Sequence, residues 1–248
     1  LSALTRILSL PPVARLPVRV RSGVAAGARW SLFPYSAYWR GTHEPHLQQL
    51  IIDLLDWPGK SVWDLGSHYG LFAIGLARRV GPAGHVAAFE PNSVSFERLT
   101  LHARRNALAN LRLFPAAVSD TAGTSPLILD AGRETTTSHL AYDSETITAA
   151  TPTASVSTVR LDDLVAEGRI QPPHFIKLDV EGHGHRAMRG AFQTLRTHRP
   201  HIIAGIHSPQ ESAGLLELLA PLNYSVECLT PGCAAIPSHE GDYLWRPL

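Results

Sequence analysis

Val62-Trp63-Asp64-Leu65-Gly66-Ser67-His68-Tyr69-Gly70 reads as a short buried strand that ends in an acid, turns at a glycine and enters a helix. Gly66 lets the backbone approach a ligand closely, and Gly70 allows tight packing of turn against helix. The following strand, His85–Phe89, ends at Glu90-Pro91. A carboxylate there can accept both hydroxyls of a ribose. The two segments together describe a site for an adenosine-bearing cofactor.

Outward from this stretch the pattern stays regular. Leu47, Leu50, Ile51, Leu54 and Leu55 recur at helical spacing, and Trp57-Pro58-Gly59 stops that helix. Helices are expected over Leu71–Val80 and Ser93–Leu108, and a third strand over Leu111–Ala117. Val156–Val159 resembles a short strand entering a helix. His174–Val180 reads as a fourth core strand, followed by a helix through Leu195. His201–Ile206 is a fifth strand, Gln210–Leu219 a helix, and Tyr224–Leu229 with Asp242–Trp245 a terminal hairpin. The Ser/Thr-rich stretch 134–154 looks like a surface excursion. Alternating strands and helices make an α/β chain with a mostly parallel sheet and helices on both faces. Ligands in such sheets bind beyond the strands' carboxyl ends. That rule selects Asp64–Gly70, Glu90–Asn92, Ala117–Asp120, Asp179–His185 and Gly205–His207.

Composition narrows the class. With 248 residues, 44% hydrophobic and 17% charged, the chain is long enough for a continuous core, and apolar enough to exclude a disordered one. No apolar run reaches the length of a membrane helix. Two cysteines, Cys228 and Cys233, cannot build a disulfide framework or a four-thiolate zinc site; they are expected as thiols in a reducing cytoplasm. Residues 1–43 hold six arginines and no acid, whereas 44–248 are net acidic. The first segment is expected to be a basic extension, either solvated or touching an anionic membrane surface, a nucleic acid or a phosphorylated substrate, and the second a single domain. That domain lacks the basic-aromatic clusters of a nucleic-acid binder.

Charge also sorts the cofactors. A dinucleotide site wants Gly-x-Gly-x-x-Gly, but the second glycine position here is His68, and no Gly-Lys-Ser/Thr loop is present. A carboxylate at Asp64 would repel a pyrophosphate and attract a cationic amino-acid head. S-adenosylmethionine (SAM) carries such a head, a sulfonium and an adenosine, with no phosphate.

The order Trp39-Arg40-Gly41-Thr42-His43-Glu44-Pro45, Val62–Gly70, Ala88-Phe89-Glu90-Pro91 and Phe175-Ile176-Lys177-Leu178-Asp179-Val180-Glu181-Gly182 resembles the FkbM family of SAM-dependent methyltransferases. The likeness spans about residues 38–207. It implies a Rossmann-like class I methyltransferase fold with a seven-stranded sheet, and methyl transfer to a hydroxyl of a sugar, glycolipid or natural product. On that likeness Asp64, Gly66, Ser67 and Gly70 surround the methionine end and Glu90 with Pro91 takes the ribose. Asn92, Ala117 and Val118 lie near the adenine, and Thr42 and Glu44 belong to the same pocket. The chain departs from the family pattern at Ser67-His68, and it has Gly184 and Gly205 where the family often places glutamates.

An alcohol is a poor nucleophile until its proton is being removed, so a base is expected at the same sheet edge. Asp179, His207 and His185 are the candidate catalytic groups, with Glu181 and His183 beside them; an ordinary imidazole is a usable base at neutral pH. The same histidines and acids match no recognised zinc spacing, and no metal is assigned. Tyr35, Tyr38 and Trp39 form either an aromatic wall of the pocket or an arm packed on the sheet. Two other readings remain: a cofactor-binding relative without catalysis, and a nucleotide-dependent oxidoreductase.

Overall fold

The computed structural model describes residues 10–32, 36–129, 138–141, 147–148, 150–230 and 240–248. Tyr35, Cys233 and about half of the 134–154 excursion fall outside them. Among the described residues thirteen strands and nine α-helices follow in chain order, with one 3-10 turn at Ala220–Leu222. The strands are β1 (Pro17–Arg19), β2 (Arg29–Ser31), β3 (Ser61–Leu65), β4 (His85–Phe89), β5 (Leu111–Phe114), β6 (Ala117–Val118) and β7 (Gly123–Ile128). They continue as β8 (His139–Leu140), β9 (Thr153–Val159), β10 (Phe175–Leu178), β11 (His201–Ile206), β12 (Tyr224–Cys228) and β13 (Gly241–Pro247). The helices are α1 (Pro11–Ala14), α2 (Ser36–Arg40), α3 (Pro45–Leu54), α4 (Leu71–Val80) and α5 (Ser93–Arg105). After the excursion come α6 (Leu161–Ala166), α7 (Gly184–Arg189), α8 (Phe192–His198) and α9 (Pro209–Leu219).

Seven strands form the main sheet in the order β12-β13-β11-β10-β3-β4-β5. The five from β11 to β5 run parallel, and the terminal β12–β13 hairpin closes the β11 edge antiparallel. The fold is thus the Rossmann-like α/β arrangement expected. Successive residues of each strand face opposite sides. Val62 and Phe175 enter one apolar cluster with α4, while Trp63, Leu65 and Ile176 enter the other with α7 and α9. Burial on both faces is what a parallel sheet requires. Strand order reverses between β3 and β10, which fixes where a ligand crevice opens.

Three local expectations change. The strand expected over Leu111–Ala117 breaks at Pro115, which has no N–H to donate to the ladder. Its second half, β6, joins a separate four-stranded sheet ordered β6-β9-β7-β8. The helix expected to run through Leu195 divides at Gly190-Ala191 into α7 and α8. A Cβ at Gly190 would stand 2.0 Å from the Ser119 carbonyl, and Asp162, from α6, accepts N–H bonds from Gln193 and Thr194 at 2.9 Å to start α8. Cys228 is disulfide-bonded and not a free thiol. Among the described residues no helix is long and apolar enough to cross a membrane.

The arginine-rich beginning is built into the core. Val20, Val24, Ala25, Ala28 and Trp30 are buried in the cluster that covers α4. Trp30 stacks on His102 of α5, ring centroids 3.7 Å apart. His102 Nδ1 donates to the Tyr69 carbonyl at 2.9 Å, and its Nε2 faces the Ser31 N–H and hydroxyl. Arg105 adds bonds to the Trp30 and Arg15 carbonyls. A solvated extension therefore does not describe residues 14–31.

Burial holds the His102 imidazole neutral, its pKa lowered to about 3. The unfolded chain takes up this proton near pH 6.5 and the fold refuses it. Stability is thus fully present above pH 6.5 and is lost as pH falls from 6.5 towards 3. His43 and His183, each lowered to about 4 by burial, act in the same direction. Melting temperatures should fall steadily below pH 6, with the His102 ring still neutral by NMR at pH 5. Titration of that ring near 6.5 in the folded protein would contradict this packing.

Candidate active site

A cavity of about 280 Å³ opens at the carboxyl ends of β3, β4, β10 and β11. Gly66 forms its floor at φ 82°, and a Cβ there would lie 1.8 Å from the Asp179 carbonyl. Only a glycine lets the two adjacent strand ends touch in this way. The N–H groups of Gly66 and Ser67 both donate to the Phe89 carbonyl, at 3.0 and 2.9 Å, which ties the turn to β4.

Asp64, one residue before the end of β3, is 1% exposed; no hydrogen bond of good geometry reaches its carboxylate, though the Ser67 side chain and the Ala73 N–H favour its charge. Burial raises its pKa, opposed first by Lys177, its register partner in β10. An orphaned buried carboxylate is costly unless a cation or donor completes it. At the other end, Glu90 is 7% exposed and accepts the His68 N–H at 2.7 Å and the Asn92 N–H at 2.8 Å. Each oxygen keeps acceptor capacity for a hydroxyl. Burial pushes Glu90 up to about 7 despite these two bonds.

Of the residues expected at the cofactor, Gly66, Glu90, Pro91, Ala117, Val118 and Glu44 line the cavity. The others, Asp64 among them, stand outside its lining. The Ser67 hydroxyl closes the turn on the Asp64 carbonyl at 2.8 Å, and Gly70 packs its Cα against Leu99 as α4 begins. Asn92 caps α5 through Val94 and Ser95, and the Thr42 N–H bonds the Ala37 carbonyl. Tyr38 lines the cavity and meets His68 Nδ1 at 2.9 Å. Trp39 turns to the N-terminal segment, between the Arg21 and Arg40 guanidiniums.

The opposite wall is ionic. Two residues apart on one strand face, Lys177 and Asp179 meet at 2.8 Å. Burial is the largest single influence on both and opposes both charges, but the neighbouring charges together outweigh it: Asp179, Asp64 and Glu44 hold Lys177 above its ordinary pKa, and Lys177 with His207 and His43 holds Asp179 below. His207, just beyond β11, places Nε2 3.4 Å from Asp179 and 3.7 Å from Glu181, and Nδ1 3.7 Å from Glu211. Burial works against its proton, but Glu211, Asp179 and Glu181 raise its pKa to about 9. Asp179, Glu181 and His207 bring donor atoms within 4.8 Å of one another, and the cations among them are the His207 proton and Lys177.

Asp179 and His207 are thus brought together, and His185 is not. His185 is 8% exposed and packs against Gly214 of α9, away from the cavity. His183 does line it, bonded to the Ser119 hydroxyl at 3.0 Å. Sequence reasoning missed Glu211, whose only signal is the Ser208-x-x-Glu211 pattern of a capped helix start. Among the described residues six non-glycines have positive φ, and three of them, Glu44, His68 and Glu181, line the cavity. Such strain collects at functional sites.

Residues 64–226 match the family model described as the methyltransferase FkbM domain. The chain belongs to the FkbM methyltransferase family. This FkbM-family chain is 28% identical over 174 residues to the hexuronic acid methyltransferase AglP of Haloferax volcanii, covering 67% of the chain and 64% of that relative. It is 28% identical over 181 residues to the 31-O-demethyl-FK506 methyltransferase FkbM of Streptomyces tacrolimicus, covering 63% of the chain and 69% of that protein. It therefore spans about two thirds of the length of these curated relatives. Among solved structures, the methyltransferase FkbM from Methylobacillus flagellatus KT superposes with a TM-score of 0.53 at 16% identity, over 77% of this chain and 45% of that one. A SAM-dependent O-methyltransferase from Thermotoga maritima gives 0.50 at 14% identity, over 94% and 77%. At these identities the two structures speak for the fold alone.

Proposed function

We propose that this FkbM-family methyltransferase moves a methyl group from SAM to a hydroxyl of a sugar, glycolipid or natural-product acceptor. The observation that supports the reading is Glu90, a buried carboxylate that lines the cavity and keeps acceptor capacity on each oxygen, with a second buried carboxylate, Asp64, two residues before the Gly66 floor and outside the lining. Among the described residues no lysine or arginine lines the cavity, and the carboxylates Glu44, Glu90, Asp179 and Glu181 outnumber the His207 cation, so the field there disfavours a pyrophosphate. A phosphate-free cation fits that field. The names of the two curated relatives, one acting on a hexuronic acid and one on an O-demethyl compound, support the acceptor class.

When bound, SAM supplies an electrophilic methyl on a sulfonium. Asp64 would face the cationic head and Glu90 the ribose hydroxyls. Asp179 accepts a hydrogen bond from the acceptor hydroxyl, orients its oxygen and receives its proton. A hydroxyl oxygen gaining a methyl group becomes a far stronger acid, so a carboxylate held below its ordinary pKa still suffices. Lys177 keeps that carboxylate ionised inside the protein. His207 carries a proton at neutral pH and therefore holds Asp179 and Glu181 in place, a different role from the base expected of an ordinary imidazole.

The non-catalytic alternative rested on Gly184 and Gly205. Both spaces are filled by other functional groups: a Cβ at Gly184 would lie 2.5 Å from Glu211 Oε1, and one at Gly205 3.1 Å from Asp179 Oδ1. Calorimetric titration with S-adenosylhomocysteine (SAH) and with NADH separates the cofactors. SAH should bind and NADH should not; tight NADH binding without SAH binding would overturn the reading.

A further inference from the structure

Glu211 is the most deeply buried charged side chain beside the cavity, with 0% exposure, and it comes from α9, outside the strand ends that carry the rest of the site. One oxygen accepts the Gly184 N–H at 2.8 Å, and the other accepts the His207 N–H at 2.8 Å. Those amides belong to the loops after β10 and β11, the loops that present Asp179, Glu181 and His207. The Ser208 hydroxyl accepts the Glu211 N–H at 3.1 Å, so the first turn of α9 is fixed around the side chain. In the usual capped start, the glutamate reaches back to its own cap residue; here it reaches one residue further, and across to a second strand. Gly184 leaves the room this needs.

We propose that Glu211 is the positioning residue of the reacting end: it clamps the two loops together and fixes the His207 ring so that Nδ1 faces Glu211 and Nε2 faces Asp179 and Glu181. The proposal rests on the methyl-transfer reading only for its effect on catalysis; the clamp stands on the two backbone bonds at 2.8 Å, and the ring orientation on a 3.7 Å approach of Nδ1 to Glu211 that is charge pairing and not a hydrogen bond. A carboxylate behind an imidazole sets which nitrogen faces the working side and favours its protonated form. The other charged groups that act on this ring are Asp179 and Glu181 from the β10 loop, Asp242 from β13, and Glu44, which is coupled to His207 from the start of α3. Lys177 is bound to Asp179. Of the carboxylates within 4 Å of His207, Glu211 alone stands on the Nδ1 side.

The experiment is an NMR titration of His207 in the cofactor-free full chain, in wild type and in Glu211→Gln, followed by SAH titration and steady-state rates. The amide can accept from only one of the two N–H groups and turns a donor towards the other. Expected are a wild-type His207 protonated at pH 7.5 and a proton affinity at least ~10-fold lower in Glu211→Gln. SAH affinity should stay within about threefold, and kcat should fall ~10-fold or more with KM for SAM little changed. Glu211→Gln/His207→Asn should be no slower than the slower single variant, because both changes remove one unit. An unchanged His207 titration in Glu211→Gln overturns the proposal, as does a fully additive double variant. If Glu211→Gln does not fold, the wild-type titration decides: a neutral His207 at pH 7.5, or Nε2 turned towards Glu211, overturns it. Failure of SAH to bind the wild type would instead overturn the methyl-transfer reading and leave the clamp standing.

Discussion

Replacing Asp179 by asparagine lowers methyl transfer by ~10²- to 10⁴-fold while SAH affinity changes little. The amide has nearly the same shape, so the contact between the Asp179 carbonyl and Gly66 that shapes the floor persists. What disappears is the proton acceptor, together with the charge that pairs with Lys177 at 2.8 Å and faces His207 at 3.4 Å. Lys177 is 4% exposed and keeps Asp64 and Glu44 as countercharges, which should preserve folding. SAH release under saturating SAM, measured beside calorimetric SAH binding, separates the chemical step from cofactor affinity. Full activity in Asp179→Asn would remove this side chain from the mechanism and shift attention to Glu181.

The second large effect belongs to Glu90. Glu90→Ala should weaken SAH binding by ~1.5 to 3 kcal/mol, since it deletes charge-assisted hydrogen bonds to the ribose and leaves the His68 and Asn92 amides without their acceptor. Burial lifts the pKa of this carboxyl to about 7 in the cofactor-free protein, and the ionised form is the one that accepts from two hydroxyls. Its sign follows: affinity should be highest above pH 7 and fall by up to ~10-fold for each pH unit below it, as the group must first lose a proton. Glu90→Gln should flatten that dependence. A dissociation constant that Glu90→Ala leaves unchanged would show that the ribose lies elsewhere.

Much of the fold and half of the site could be read locally. Strand ends β3 and β4 announce themselves by apolar runs that stop at an acid and a glycine or proline, and the Lys177–Gly182 segment does the same for β10. The ligand rule for parallel sheets then gathers Asp64, Glu90, Asp179 and His207 at one edge before any coordinates are known. The errors share a cause. His183 and His185 flank the start of α7, and a two-residue step on a helix turns the side chain to nearly the opposite face. One imidazole therefore reaches the cavity and the other packs on Gly214. Charge counted along the chain leaves the basic arm either solvated or touching an anionic partner, while its apolar residues find their partners on α4 and α5.

The sequence by itself determined the alternation of strands and helices, the two acids at neighbouring strand ends that are proposed to hold a cationic cofactor, and the likeness to FkbM methyltransferases. These are short-range properties, set by periodicity and by residue types within a few positions of one another. Tertiary structure alone decided the protonation of His207, the burial of Asp64, and the reach of Glu211 from α9 to two separate loops. Each depends on desolvation and on distances between residues far apart in the chain, and electrostatic energies follow those distances and the local dielectric, which no linear spacing encodes.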